Sequence, residues 1–408
     1  MNHEYYMQKS FELAKHGLGL VSPNPLVGSV IVKDDCIIGA GFHERYGHNH
    51  AELNAIVSAQ QSLEGTTLYC NLEPCCHTNK QTAPCAQRII KEKIARVVIA
   101  NKDPNPHVDG SGIALLKQAG IEVIEGICQE EGALLNEVFF TYQRKKRPFI
   151  HLKYAQTLDG NIACVSGDSK WITHEKARTK VHEMRLKYDA ILIGAGTLIA
   201  DNPQLSIRLV DSEKKCSRRI ILGSLGYIEP HHLVVSDEYN NKTILVTHDQ
   251  DLANHELKAE IFRKNGITIM IVDVDKGFLN LHQVCQKLAA LNITSILVEG
   301  GSKILTSFIR EQLVDRISIF IAPKIIGAGI GAINELGIQK MADAFTFENT
   351  SYEMIDGVIH FSGKPAGLLD SPYSSLEANG SSVRPDGAPK ARVEGYEPIL
   401  KDQLCLPD

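Results

Sequence analysis

Residues 47–56 read "GHNHAELNAI". Leu53, Ile56 and Val57 fall on one face, so the spacing predicts a helix over 50–62 with His50 at its loop end. In the first turn of that helix His50 and Glu52 can both reach one cavity. A lone His-x-Glu is common, and its ordinary reading is a surface pair. A downstream stretch, "LEPCCHTNKQTAPC" at residues 72–85, gives it weight. There Cys75 follows Pro74 at the end of the short strand "TTLYCNL", and Cys85 follows Pro84 and opens a helix. A helix N-terminus favours the thiolate form that a metal needs. His50, Cys75 and Cys85 offer one nitrogen and two sulfurs to Zn²⁺, leaving the fourth tetrahedral position to water, as a catalytic zinc requires. Cys76 is read as a buried or loop thiol, because adjacent residues rarely both reach one tetrahedral ion without strain. Zinc lowers the pKa of bound water to about 7. Glu52, a carboxylate outside the ligand set, can take that proton and return it to a leaving amine. The His-x-Glu and Pro-Cys order is the zinc-deaminase pattern, here with the second cysteine displaced by a longer loop.

Around this motif the first half of the chain alternates helix and strand signals. "LVGSVIVKDDCIIGAGF" reads as a hairpin turning at Lys33-Asp34-Asp35, "ARVVIA" and "IEVIEG" as strands, and "GIALLKQAG" as a helix closed by Gly120. That is a three-layer α/β pattern. "QRKKRP", residues 143–148, is a charge cluster closed by proline and marks a boundary. Beyond it the alternation restarts with "FIHLKYA", "RRIILG", "KTILVTH", "ITIMIVD", "ITSILVEGG" and "DRISIFIAP" as strands, and with "DAILIGAGT" running from a strand into a turn and helix. Helical stretches lie near 173–187, 253–265, 281–291 and 302–311. No repeat relates the halves, so the second is a different α/β domain. From residue 364 the chain turns rich in Ser, Pro, Gly and charge and reads as a flexible extension. The expected division is 1–145, 146–363 and 364–408.

Composition narrows the function. At 408 residues with 43% hydrophobic and 22% charged, each half can bury a core. A formal net charge of -5 lacks the basic footprint of a nucleic-acid binder. The N-terminal stretch lacks a secretory apolar run, and no stretch is apolar enough to span a membrane. The reading is a cytoplasmic protein whose clustered cysteines serve a metal.

Several motifs then agree in order. "PNPLVG" (23–28), Gly41-Phe42-His43, the His-Ala-Glu, the Pro-Cys…Pro-Cys loop and "DPNPHVDGSG" (103–112) resemble the deaminase half of the bifunctional riboflavin-biosynthesis deaminase/reductase family of bacteria. "LKYAQTLDGNIA" (152–163), "SKWIT" (169–173), "GAGT" (194–197), "DNPQLSIR" (201–208) and "VEGG" (298–301) resemble its reductase half. The resemblance spans residue 4 to about 362. It implies an α/β chain with an N-terminal cytidine-deaminase-like three-layer domain and a C-terminal dihydrofolate-reductase-like domain. It implies deamination of a diaminopyrimidine ribosylamino phosphate, then reduction of its ribosyl group to ribityl, with Zn²⁺ and NADPH as cofactors. Asn24, His43, His77 and Lys80 are then the deaminase's substrate contacts. Ala155, Trp171, Thr197, Asp201 and Gly301 contact NADPH, while Lys153, Ser169, Arg185, Leu205, Arg208 and Glu299 hold the reductase substrate. A small-molecule substrate and a homo-oligomer, dimer or tetramer, are implied as partners. The chain departs from the family pattern at Gln81, where arginine is usual, and at Gly223, where aspartate is frequent.

Two other readings compete. A nucleic-acid deaminase of the tRNA type with an accessory domain would show tight, salt-dependent RNA binding. A non-enzyme with a structural zinc and a nucleotide-sensing domain would close the metal with four protein ligands.

Overall fold

The computed structural model describes residues 2–76 and 84–366. The first half is built on strands β1 Gly28–Lys33, β2 Cys36–Phe42, β3 Thr67–Leu72, β4 Arg96–Asn101 and β5 Glu122–Glu125, ordered β2-β1-β3-β4-β5. β1 runs antiparallel to β2 and β3, while β3, β4 and β5 are parallel. Asp34 and Asp35 both take positive φ, 48° and 61°, as a two-residue hairpin turn demands. Side chains alternate across the sheet. Ile31, Leu68, Cys70 and Val97 face one core with α2 (Ala51–Ser58), α3 (Cys85–Lys91) and α4 (Ser111–Gln118). Val30, Val32, Tyr69 and Val98 face the other, where α1 (His3–Ala14) contributes Tyr6, Met7 and Phe11. Two cores on two faces make the three layers read from the sequence. α5 (Gln129–Leu135) and α6 (Glu137–Lys145) lead to the second half.

There a nine-stranded sheet begins with β6 Phe149–Thr157. The remaining strands of the second half are β7 Asn161–Cys164, β8 Ala190–Gly194, β9 Arg218–Leu222, β10 Thr243–Thr247, β11 Thr268–Ile271, β12 Val274–Asp275, β13 Phe278–Leu279, β14 Ser295–Gly300, β15 Arg316–Ala322, β16 Gly329–Gly331, β17 Phe347–Ile355 and β18 Val358–Pro365. The order in the large sheet is β11-β10-β9-β8-β14-β6-β15-β18-β17, and β7–β16 and β12–β13 form small pairs. Strands from β11 to β15 are parallel, and β18 and β17 close the edge antiparallel. Parallel strands need cover on both faces. Ile220, Ile244 and Ile296 pack against the helices 281–290 and 302–310, while Ile191, Ile221 and Leu245 pack against the helix 256–264.

Several details differ from the sequence reading, and the helix expected over 50–62 is Ala51–Ser58. The helix expected near 253–265 is two, Asp249–Asn254 and Glu256–Lys264. The hairpin of β17 and β18 was not expected, because β17 is exposed along most of its length and shows no alternating pattern. The last strand also runs to Pro365, and the extension beyond residue 366 lies outside the described residues.

In both halves the parallel strands end at the candidate sites, where open α/β sheets bind ligands. β3 delivers Glu73 and Cys75. β8, β9 and β14 deliver the turns at Gly194, Gly223 and Gly300.

Candidate active sites

His50 is the N-cap residue of α2, and Cys85 is the first residue of α3. Their elements bring three ligand atoms together. His50 Nδ1 stands 3.5 Å from Cys75 Sγ and 3.4 Å from Cys85 Sγ. Zinc bonds of about 2.3 Å to sulfur and 2.0–2.1 Å to nitrogen at tetrahedral angles separate those atoms by about 3.6 Å. The spacing and the N/S donor set therefore fit zinc. Among the described residues these three form the one group of potential metal ligands of this size. Cys76 is not part of this group and packs against the core of α2 and α3.

The cluster opens into a cavity of about 470 Å³ lined by Asn24, His43, Glu52, Asp103, Asn105, Tyr142 and Asn292. Glu52 is buried at 3% exposure in the first turn of α2 and lines this cavity. Asn24 Nδ2 lies 3.0 Å from His43 Nε2, and His43 Nδ1 lies 2.9 Å from the carbonyl of Asn49. Burial holds the His43 imidazole below its usual pKa, against the pull of that carbonyl. Neutral, it offers one donor and one acceptor. His77, Lys80 and Gln81 lie outside the described residues.

Sequence reading missed Glu73 and Asp103. Glu73, buried, accepts backbone N–H groups of Asp103, Gly110, Gly112 and Ile113, and so ties residues 103–113 to the end of β3. Asp103 enters the cavity from that segment, and burial pushes its carboxyl up to about 7 against the hydrogen bond from Asn105. The signal was a buried-strand exit, Leu72-Glu73-Pro74, where an acid has no reason to stand unless backbone donors meet it.

In the second half, all the residues expected to contact NADPH or the reductase substrate line one cleft of about 580 Å³. Trp171 stands at its mouth, 60% exposed, with the Arg178 guanidinium 4.4 Å from the ring centroid. Arg185 and Glu299 form a bidentate pair, Nε–Oε1 2.6 Å and Nη2–Oε2 2.9 Å, and Arg185 Nη1 donates to Ser206 O at 2.8 Å. Lys153 Nζ is 4.0 Å from Glu299. Burial raises the Glu299 carboxyl, but the charges of Arg185 and Lys153 and the Arg185 hydrogen bonds outweigh it and hold it at about 2. His182 lines the same cleft, and burial followed by the charges of Arg185 and Arg208 lowers it to about 4. Arg208 is exposed at the cleft.

The cleft meets a longer groove of about 1100 Å³ at Ser169, Thr197, Asp201 and Gly301. That groove runs past Gly194, Gly223, His248 and Ser302 over the strand ends. Gly223 has φ 149°, and a Cβ there would lie 2.7 Å from the Ala195 Cβ. The glycine at this position is matched to the close approach of α8 (Ala195–Asp201).

Comparison with known proteins agrees with the fold of both halves. Residues 1–101 match the model of the cytidine and deoxycytidylate deaminase zinc-binding region, and residues 148–361 match the RibD C-terminal domain. The riboflavin biosynthesis protein RibD of Aquifex aeolicus is 42% identical over 87% of this chain and 97% of its own. The chain belongs to the RibD family. Among solved structures, Acinetobacter baumannii RibD superposes with a TM-score of 0.78 at 34% identity, covering 89% of this chain and 98% of that one. The Thermotoga maritima diaminohydroxyphosphoribosylaminopyrimidine deaminase/5-amino-6-(5-phosphoribosylamino)uracil reductase superposes with 0.76 at 39% identity and the same coverage. As a RibD-family member the chain is a bifunctional riboflavin-pathway enzyme, with a zinc-dependent, cytidine-deaminase-like half and an NADPH-dependent, dihydrofolate-reductase-like half. The match along 148–361 sets aside a tRNA-type deaminase with an accessory domain.

Proposed function

We propose that this enzyme deaminates 2,5-diamino-6-(5-phosphoribosylamino)pyrimidin-4-one and then reduces the ribosyl group of the product to ribityl, the activities named for the Thermotoga maritima relative. The observation that carries the reading is the convergence of His50, Cys75 and Cys85 beside buried Glu52 at one cavity, with the reductase residues gathered at another. His50, Cys75 and Cys85 would hold the zinc, which would supply an acidified water as nucleophile. Glu52 takes the proton of that water and delivers it to the departing ammonia. Asn24 and His43, joined to each other, orient the flat pyrimidine, and His77 and Lys80 complete its binding from the cysteine loop.

In the reductase, NADPH held in the cleft would supply the hydride for reduction at C1′ of the sugar. Ala155, Trp171, Thr197, Asp201 and Gly301 hold the cofactor. Lys153, Ser169, Arg185, Leu205, Arg208 and Glu299 bind the ribose phosphate, and Arg185 also fixes Glu299. The deaminase is assigned to 1–145 and the reductase to 146–363, in the cytoplasm. A homo-oligomer is part of the reading. Tyr352 and Met354, 72% and 67% exposed on edge strand β17, offer a second copy an apolar, unpaired edge.

The test follows ammonia release and NADPH oxidation together in the wild type and in Glu52→Gln. The expected result is loss of ammonia release by about 10²–10⁴-fold. Zinc content should be retained, and NADPH oxidation should remain normal when the deaminated intermediate is supplied. No ammonia from zinc-loaded wild type refutes the deaminase assignment.

A further inference from the structure

The deaminase cavity is not walled by the deaminase half alone. Asn292, on the turn between the helix Leu281–Ala290 and β14, lines it together with Tyr142, whose hydroxyl donates to Ala289 O at 3.1 Å. The loop bearing Asn24 is fixed differently at its two ends. On the far side, Leu26 N donates to Asn136 Oδ1 at 2.8 Å, and Leu26 O accepts from Asn71 and Asn136. On the near side, Ser22 Oγ donates to Asp189 Oδ2 at 2.7 Å and lies 3.2 Å from Thr294 Oγ1. That same Asp189 oxygen accepts Thr294 N at 2.8 Å and Thr294 Oγ1 at 2.7 Å. Gly19, just upstream, has φ +79°, and a Cβ there would lie 2.5 Å from Leu186 O at the end of α7 (Glu175–Lys187), so the chain runs hard against the reductase half before reaching Ser22.

We propose that the reductase half is a positioning element of the deaminase: Asp189 and Thr294 latch Ser22 and so hold Asn24 on His43, and Asn292 closes the cavity's far wall. This rests on the deaminase reading above. Asp189 and Thr294 stand at the N-terminal ends of β8 and β14, whereas the reductase cleft and groove lie at the C-terminal ends of the same strands, at Gly194 and Gly300. A change on the deaminase side of the latch therefore leaves the reductase site untouched. The Ser22 bond is made to a carboxylate, which is the stronger class of hydrogen bond.

The experiment uses the full chain with zinc and compares wild type, Ser22→Ala, Ser22→Thr and Asn292→Gly. Asn292 has φ +58°, which glycine adopts without strain, so that variant removes a side chain and keeps the turn. Ammonia release from the diaminopyrimidine ribosylamino phosphate is measured against substrate concentration. NADPH oxidation is measured separately with the deaminated intermediate supplied. The expected result is a deaminase KM raised about three- to ten-fold in Ser22→Ala and Asn292→Gly, with kcat changed less than KM. The reductase parameters should match wild type, and Ser22→Thr should restore the deaminase KM. An active wild type whose deaminase KM is shared by Ser22→Ala and Asn292→Gly overturns the latch while leaving the deaminase assignment standing. A KM rise common to both reactions also overturns it. A wild type that releases no ammonia overturns the deaminase reading and the latch with it.

Discussion

Replacing Arg185 by methionine tests whether the charge cluster of the reductase cleft is a structural element or only a row of ligand contacts. Both side chains of the Arg185–Glu299 pair are buried, 11% and 9% exposed, and the pair is bidentate. Methionine keeps much of the stem's volume and removes the charge. Glu299 is then left with Lys153 at 4.0 Å as the nearest cation of the cluster. Removing one member of a buried pair costs about 3–5 kcal/mol, because the other charge stays buried without compensation. For a domain of this size each kcal/mol lowers Tm by about 2–4 °C, so the reductase transition should fall by roughly 6–20 °C. Replacing both residues, Arg185→Met with Glu299→Met, removes the orphaned charge, and most of the loss should return.

Trp171 is the chain's only tryptophan and lies in the reductase half, so its fluorescence reports that half's unfolding. Calorimetry of the same sample follows both halves, since a two-domain chain need not unfold in one step. The deaminase transition should not move. The reasoning is refuted if Arg185→Met melts within about 2 °C of wild type, or if the double variant is no more stable than the single one. Recovery of stability without recovery of NADPH oxidation would separate the two roles of Glu299, as a charge that must be matched and as a group facing the substrate.

Acid should weaken the reductase half in two windows. His182 titrates near 6.5 when unfolded and at about 4 when folded, so the folded state resists protonation and stability falls as pH drops from 6.5 to 4. Glu299, at about 2 folded against 4.5, adds stability that is complete above 4.5 and lost as pH falls toward 2. Trp171-monitored melts at pH 7, 5.5 and 4 should therefore decline, and His182→Gln should flatten the upper window. Gly223→Ala should cost about 1–3 kcal/mol and raise the KM for NADPH, since its Cβ lies 2.7 Å from that of Ala195 at φ 149°. Ala195→Gly in the same chain should recover part of the loss, and unchanged NADPH kinetics in Gly223→Ala would refute the steric account. Stripping zinc with a chelator should abolish ammonia release and leave NADPH oxidation with the supplied intermediate intact, and a parallel loss of both would show that the metal supports the whole chain.

What the sequence disclosed followed from how local the cause was. The cluster of His50, Cys75 and Cys85 was legible because each stands at an element end that its neighbours announce: His50 before the periodic run of α2, Cys75 after a strand and a proline, and Cys85 after Pro84 at the start of α3. The three layers were legible because β1, β3 and β4 alternate between two apolar faces. The strand pair at 347–365 escaped because β17 faces water along most of its length. Asp356-Gly357, a turn signal of the strongest kind, stood between its arms unread.

The reductase cleft shows where local reading ends. Arg185 reads from the sequence as a substrate contact, since the resemblance places it there and a guanidinium pairs bidentately with phosphate. Its partner is Glu299, 114 residues away, brought over by the pairing of β14 with β8. The same holds for Ser22, which looks like a loop residue before a proline until Asp189 is placed 2.7 Å from its hydroxyl. In both cases the residue type was right for binding an anion, and only the fold decides whether that anion belongs to a ligand or to the protein. A site residue with charge to spare therefore cannot be assigned to substrate until the carboxylates delivered by neighbouring strands have been counted against it. In this chain that count gives Arg185 the Glu299 carboxylate as a partner inside the cleft that both residues line.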